Sequence, residues 1–323
     1  MSEFDLIARL FLSLTEGAPG ALGLKDDTAL FTPPEGRDLV LTTDAIAEAI
    51  HYLADDLPED VGARLLNVSL SDLAAKGARP EGYLISIAVP APADEVWLSR
   101  FALGLMSAQT DHGTHLLGGD TIRTNGPRMF SLTAIGSVAS GKMIRRGGAK
   151  PGDRLMVTGT IGDAALGLKI RKGELMIPNE AHRAYLVDRF THIQPRLSFG
   201  LKLGDRPHAS MDISDGLVAD AGHMANASAV KLIFDAVRVP LSEAANAAVE
   251  QDPTLIENLL TGGDDYELLL AVSAQEVESL TEIAKACGHD LTEIGVIEEG
   301  QGVDVLDASG RSMQFRKGGY AHF

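Results

Sequence analysis

Gly147-Gly-Ala-Lys-Pro-Gly-Asp153 is the densest turn signal in the chain, four of its seven residues being Gly or Pro. It separates two segments that each alternate strand patterns with helical ones, so the fold class is α/β, or α+β in layered form. The expected first domain is 1–146 and the expected second 147–323. Upstream of the divide, Asp38-Leu-Val-Leu-Thr-Thr-Asp44 reads as a buried strand ending in an acid. Tyr83–Val89, His115–Leu117 and Met129–Val138 read as further strands, with Gly118-Gly119-Asp120 as a turn. Pro58–Gly77 reads as a helix, with Pro near its first position and Gly near its end, and Val96–Thr110 as another. At the start, Phe4, Ile7, Leu10, Phe11 and Leu14 recur at helical spacing, with Ser2 and Asp5 as candidate caps. Downstream, Arg154–Thr158, His208–Ile213, Val230–Phe234 and Tyr266–Val272 read as strands. Gly162–Ile170 and Glu276–Cys287 read as helices, and a third is expected after Ser214-Asp215-Gly216.

A chain of 323 residues suits two domains. Lys and Arg number 28 against 45 Asp and Glu, a net charge of −17, which argues against a protein that grips nucleic acid through its overall field. The same charge permits anionic ligands where metal ions carry the positive charge. One cysteine, Cys287, excludes a disulfide framework and a cysteine-rich zinc site, and at a helix end it reads as a small buried filler. No apolar run approaches the roughly 18–20 residues that span a bilayer. The longest, Leu84–Ala93, is interrupted by Pro90 and Pro92, and the first residues are acidic. The expectation is a cytoplasmic protein without a membrane partner.

The chemical signal is a series of aspartates placed where apolar strands end. They are Asp26-Asp27, Thr42-Thr43-Asp44, Gly118-Gly119-Asp120, Asp212-Ile-Ser214-Asp215-Gly216 and Gly262-Gly-Asp264-Asp265. Asp and Gly favour turns, which explains any one of them. Five in one chain suit a hard cation such as Mg²⁺, which takes carboxylate and hydroxyl oxygens beside a substrate phosphate. Asp72 is sharper. Val61, Leu65, Val68 and Asp72 share one face of the Pro58–Gly77 helix, and Leu66, Leu70 and Leu73 cover another. A carboxylate on a helix apolar nearly all round is costly unless it is paired or bound to a metal. The competing explanation is an i, i+4 pair with Lys76.

Several motifs fail. Gly136-Ser-Val-Ala-Ser-Gly141-Lys142 nearly spells a P-loop, but Met143 stands where Ser or Thr would hold Mg²⁺. Gly159-Thr-Ile-Gly162 lacks dinucleotide spacing and reads as a packing turn. No His-Glu-x-x-His, Gly-x-Ser-x-Gly or His-Arg-Asp occurs.

Six stretches in order, from Thr42–Tyr52 through Asn67–Pro80, Gly118–Thr121, Met211–Leu217 and Gly262–Leu268 to Gly319–Phe323, resemble the thiamine-monophosphate kinase family. The resemblance implies a two-domain fold like that of aminoimidazole ribonucleotide synthetase, with an N-terminal ATP- and metal-binding domain that dimerises through its sheet. A C-terminal α/β domain would complete the active site. It implies transfer of the γ-phosphate of ATP to thiamine monophosphate, with several Mg²⁺ ions, ATP as co-substrate and a homodimer as the working unit. On this resemblance the metal ligands are Asp27, Thr42, Thr43, Asp44, Asp72, Asp120, Asp212 and Asp215. Nucleotide contacts are Gly119, Asp120, Arg146 and Ser214, and substrate contacts are His51, Asp264 and Tyr320.

The chain departs from the family at Lys25-Asp26-Asp27, where Gly-Asp-Asp is usual, at Asp264, where Glu is usual, and at Glu48-Ala49-Ile50, where a glycine is usual. The acceptor is a phosphate monoester whose second pKa is about 6, so no general base is expected. Catalysis would be metal-assisted, through Asp120 and Asp212, with in-line alignment of two anions. Tyr320 suits a cationic thiazolium. The alternatives are a catalytically inactive nucleotide- or metal-binding relative, or another ATP-dependent enzyme of the same fold. Selenophosphate synthetase needs a reactive Cys or selenocysteine near its N-terminus and the hydrogenase-maturation relative a C-terminal Cys. Neither is present.

Overall fold

The computed structural model describes residues 3–316 and 318–320. The candidate cap Ser2 and the motif residues His322 and Phe323 lie outside them. The chain forms two compact units. The first comprises the chain up to Leu73 together with Ala78–Met143; the second comprises Ala74–Gly77 and the chain from Ile144 onward, so Arg146 belongs to the second.

The first unit contains α1 (Glu3–Phe11), β1 (Arg37–Ala47), α2 (Pro58–Ala75), β2 (Arg79–Pro90), α3 (Glu95–His112), β3 (Leu116–Thr124) and β4 (Met129–Ala139). Its sheet runs β1-β4-β2-β3, antiparallel except for the parallel β2–β3 pair. One face is a packed core: Tyr83, Ile85 and Ile87 of β2 and Phe130, Leu132 and Ala134 of β4 are buried, as are Leu65, Leu66, Leu70 and Leu73 of α2. Trp97 and Phe101 of α3 stack on Phe130, and Arg128 lies over the Trp97 ring. Asp94 starts α3 by accepting from the Trp97 N–H at 3.0 Å. The other sheet face carries exposed apolar side chains: Leu41 (62 %), Leu84 (40 %), Ile122 (54 %) and Met129 (48 %).

Gly118-Gly119-Asp120 is not a turn. It continues β3, pairing Gly119 with Ile85 and Asp120 with Ser86. The glycine serves close approach: a Cβ on Gly119 would sit 2.0 Å from the Ile85 carbonyl oxygen. The near-P-loop also has another use. Asp38 accepts from Ser140 Oγ and the Gly141 N–H, both at 2.7 Å, closing the turn that follows β4.

The second unit contains β5 (Arg154–Thr158), α4 (Asp163–Arg171), α5 (Glu180–Thr191), α6 (Leu197–Gly200), β6 (Pro207–Asp212), α7 (Leu217–Ser228) and β7 (Lys231–Asp235). They are followed by α8 (Glu243–Gln251), α9 (Leu255–Thr261), β8 (Leu268–Val272), α10 (Val277–Ala286), β9 (Leu291–Glu298) and β10 (Gly302–Leu306). The six strands run β10-β7-β9-β5-β8-β6. β8, Leu-Leu-Leu-Ala-Val, is buried at every position, as a strand covered on both faces must be. Leu155, Met211, Leu217, Leu232, Leu269 and Ile294 centre the core. Cys287 is half-buried rather than buried, because it ends α10 with its Sγ directed to the Ser198 carbonyl at 3.3 Å. No helix among the described residues is long and apolar enough to cross a membrane.

Candidate active site

In the first unit, strand alternation places Thr42 and Asp44 on the helix-covered face of β1 and Thr43 on the opposite face. Thr42 Oγ1 donates to Asp72 Oδ2, and Ser69, one turn before Asp72 on α2, donates to Asp44 Oδ2 at 2.7 Å. Burial, and less strongly the Asp72 charge, push the Asp44 carboxyl up to about 6, while the Ser69 bond opposes. Two carboxylates and two hydroxyls thus meet on one side of the sheet, an all-oxygen set suited to Mg²⁺. Ser69 was not singled out from sequence; its position three residues before Asp72 on the same helix is the signal. Lys76, the alternative partner of Asp72, donates to the Ser210 carbonyl at 2.7 Å.

Thr43 and Asp120 lie on the exposed face. Thr43 accepts from Thr133 Oγ1 at 3.1 Å. The register aligns Ala45, Ser131, Ser86 and Asp120 in one row across β1, β4, β2 and β3. Three strand spacings separate its ends, roughly 14 Å along the sheet. Asp27 lies in an exposed turn after Leu24, beside exposed Lys25 and Asp26. His51 closes a short loop after β1, where its Nδ1 accepts the Ala47 N–H at 3.1 Å. That bond assigns the proton of a neutral ring to Nε2. Within the loop Ala49 has φ 67°, a left-handed conformation that favours glycine.

In the second unit, Asp212 is buried at the end of β6 and the chain turns through Ser214 and Asp215 into α7. The backbone N–H groups of Ser214 and Asp215 both donate to Asp220 Oδ2 at 3.0 Å. Burial, opposed by these bonds and reinforced by the Asp215 charge, pushes the Asp220 carboxyl up to about 7; Arg146 acts in the other direction. Two further segments converge on this turn. The Asp264 N–H donates to the Ser214 carbonyl at 3.0 Å and the Tyr320 N–H to the Asp215 carbonyl at 3.0 Å. Arg146 is exposed, and the neighbouring Arg145 carbonyl accepts the Ser210 N–H at 2.9 Å, so this segment runs beside β6.

Asp215, Asp220 and His223 present ligand atoms within 4.8 Å of one another. Asp220 and His223 carry no motif in the sequence. Both sit inside a helix, where nothing but their i, i+3 spacing marks them. The structure therefore brings together Thr42, Asp44 and Asp72 in the first unit, and Ser214, Asp215, Asp264 and Tyr320 in the second.

Residues 25–138 match the AIR synthase related protein N-terminal domain, and residues 150–308 the AIR synthase related protein C-terminal domain. Over 324 residues the chain is 41 % identical to thiamine-monophosphate kinase of Caulobacter vibrioides, covering 99 % of this chain and 91 % of that protein. The chain belongs to the thiamine-monophosphate kinase family. The crystal structure of the thiamine-monophosphate kinase from Stenotrophomonas maltophilia K279a has a TM-score of 0.86 and 37 % identity, covering 97 % of this chain and 98 % of that one. A second solved structure, AaThiL complexed with AMPPCP and TMP, has a TM-score of 0.80 and 32 % identity, covering 99 % and 97 %. The two-domain fold expected for this family is the fold observed.

Proposed function

We infer that this chain transfers the γ-phosphate of ATP to thiamine monophosphate, giving ADP and thiamine diphosphate. The observation that carries the reading is the full-length likeness to a solved protein complexed with AMPPCP and TMP. We assign the roles on the motifs of the sequence. Gly119, Asp120, Arg146 and Ser214 serve the nucleotide; His51, Asp264 and Tyr320 serve thiamine monophosphate. His51 offers an Nε2–H donor without a proton-transfer role. The acceptor monoester is largely ionised near neutral pH, so orientation and charge neutralisation replace a general base. Asp27, Thr42, Thr43, Asp44, Asp72, Asp120, Asp212 and Asp215 would hold Mg²⁺, which when bound supplies the positive charge that lets two phosphate anions approach. A cytoplasmic location is proposed, since ATP is the co-substrate.

ADP release, measured with and without thiamine monophosphate, tests the reading, with labelled ATP presented to a panel of phosphorylated acceptors. Acceptor-dependent release with label in thiamine diphosphate is expected. ATP binding without acceptor-dependent turnover would identify an inactive relative.

Metal binding should depend on pH with a definite sign. A carboxyl raised to about 6, as Asp44 is, takes up its proton in the folded state before it does in the unfolded chain. The metal-free protein is therefore relatively favoured as pH falls toward that value, and protons compete with the metal. Added Mg²⁺ should raise the melting temperature most above about pH 7 and lose its effect below about pH 6. A Mg²⁺-induced shift that is the same at both ends rejects the Asp44 assignment.

The exposed apolar face of the first unit's sheet is proposed to cover the same face of a second copy. Asp120 lies on that face, three strands from β1, too far to share one ion with Asp44 of its own chain. On that face it would stand against the exposed face of the second copy, where Thr43 also lies, and not against Asp44, which lies on the helix-covered side. Leu84→Asp, which puts a charge on that face, should leave the protein monomeric in sedimentation. A Leu84→Asp protein that still sediments as a dimer would overturn the arrangement.

A further inference from the structure

Asp264 and Tyr266 both adopt left-handed backbone conformations, with φ of 74° and 50°. Each is strained for a residue that carries a Cβ. Such residues persist only where the surroundings over-determine them. The backbone supplies part of the restraint. Asp264 N–H donates to the Ser214 carbonyl, Tyr266 N–H to the Ile213 carbonyl at 2.8 Å, and Ile213 N–H to the Glu267 carbonyl at 2.8 Å. Gly263 permits the close fit, since a Cβ there would lie 2.3 Å from the Ser214 carbonyl oxygen.

The intervening side chain, Asp265, supplies a different restraint. It is 4 % exposed, and its Oδ2 accepts the N–H of Gly162, the residue that starts α4, at 2.8 Å. Its Oδ1 is buried with no hydrogen-bond partner. The adjacent buried acids are far better satisfied. Asp163 accepts from Thr160, Tyr185 and Ser242, and Glu267 from Thr158, Arg189 and Arg196. A buried carboxyl with one donor and one bare oxygen is a poor choice for stability alone. It is useful where a single directional tie must hold the chain.

We propose that Asp265 is a positioning residue for substrate recognition: its bond to Gly162 holds Asp264 in the left-handed conformation from which Asp264 serves the thiamine monophosphate site. This rests on the reading of Asp264 as a substrate contact. Burial raises the Asp265 carboxyl well above the usual carboxylate range; Asp163 and Glu267 act in the same direction, and the Gly162 bond and Arg189 oppose. Asparagine is its nearest replacement in size and shape.

Separate Michaelis constants for thiamine monophosphate and ATP, with melting temperatures, test the proposal in Asp264→Ala, Asp265→Ala and Asp265→Asn. Asp264→Ala and Asp265→Ala should each raise KM for thiamine monophosphate about tenfold, with KM for ATP changed less than about twofold. Asp265→Asn keeps an acceptor for the Gly162 N–H and should stay near wild type in both. If Asp265→Ala does not fold, Asp265→Ser is scored by the same ratio. An unchanged KM in Asp264→Ala overturns the substrate-contact reading and the proposal with it. An impaired Asp264→Ala beside an unaffected Asp265→Ala, equal loss for both substrates, or an Asp265→Asn as impaired as the alanine variant, overturns the proposal alone.

Discussion

Asp212→Asn should lower kcat by about 100- to 1000-fold while the protein still folds. Asp212 is 7 % exposed at the end of β6, at the start of the turn that carries Ser214 and Asp215. The amide keeps the size and shape of the side chain, so packing around β6 is preserved. It loses the anionic oxygen that a hard cation prefers. Coupled ADP release at saturating ATP, Mg²⁺ and thiamine monophosphate gives kcat; a differential melting curve gives the fold. Near-normal turnover in Asp212→Asn would refute its metal assignment, and the same assay on Asp120→Asn tests the exposed-face acid.

Glu267→Ala should have the largest effect on stability, a loss of about 3–5 kcal/mol. Glu267 is fully buried and accepts from Arg189 Nη2 at 3.0 Å, Arg196 Nε at 2.6 Å and Thr158 Oγ1 at 2.7 Å. Arg189 and Arg196 are themselves buried, so alanine leaves two guanidinium groups in the interior with no counter-charge. The cost arises from those stranded charges more than from any net gain of the intact pair, because desolvation offsets much of the attraction in the wild type. Urea unfolding reads the change directly. A midpoint within error of wild type would mean that water reaches the two arginines, contrary to the packing described.

The sequence reading succeeded where a local period carried the information. Asp72 stood out because Val61, Leu65 and Val68 put it on an apolar helix face, and it meets Thr42 and lies beside Asp44. β8 was legible as a continuous apolar run. The reading failed where long-range pairing decides. Gly118-Gly119 looks like a turn until β2 is placed beside it, since local composition says nothing about the Ile85 carbonyl. Thr42-Thr43-Asp44 looks like one donor group, yet a period of two divides it between sheet faces. β9 was not marked as a strand: Leu291-Thr-Glu-Ile-Gly-Val-Ile-Glu298 has polar residues and a glycine inside it, and only its place between β7 and β5 makes it one. Asp265 and Glu267 stand in the motif Gly262–Leu268, but their inward direction depends on Gly162, Arg189 and Arg196, all more than seventy residues away.

On the proposed role of Asp264 in holding thiamine monophosphate, its left-handed backbone would set thermal robustness against substrate grip. Glycine at that position would relieve the conformational penalty and remove the carboxylate in one step. Breeding this enzyme for heat resistance alone, without scoring turnover, would therefore drift toward Asp264→Gly, a sturdier scaffold that has lost its hold on the vitamin precursor.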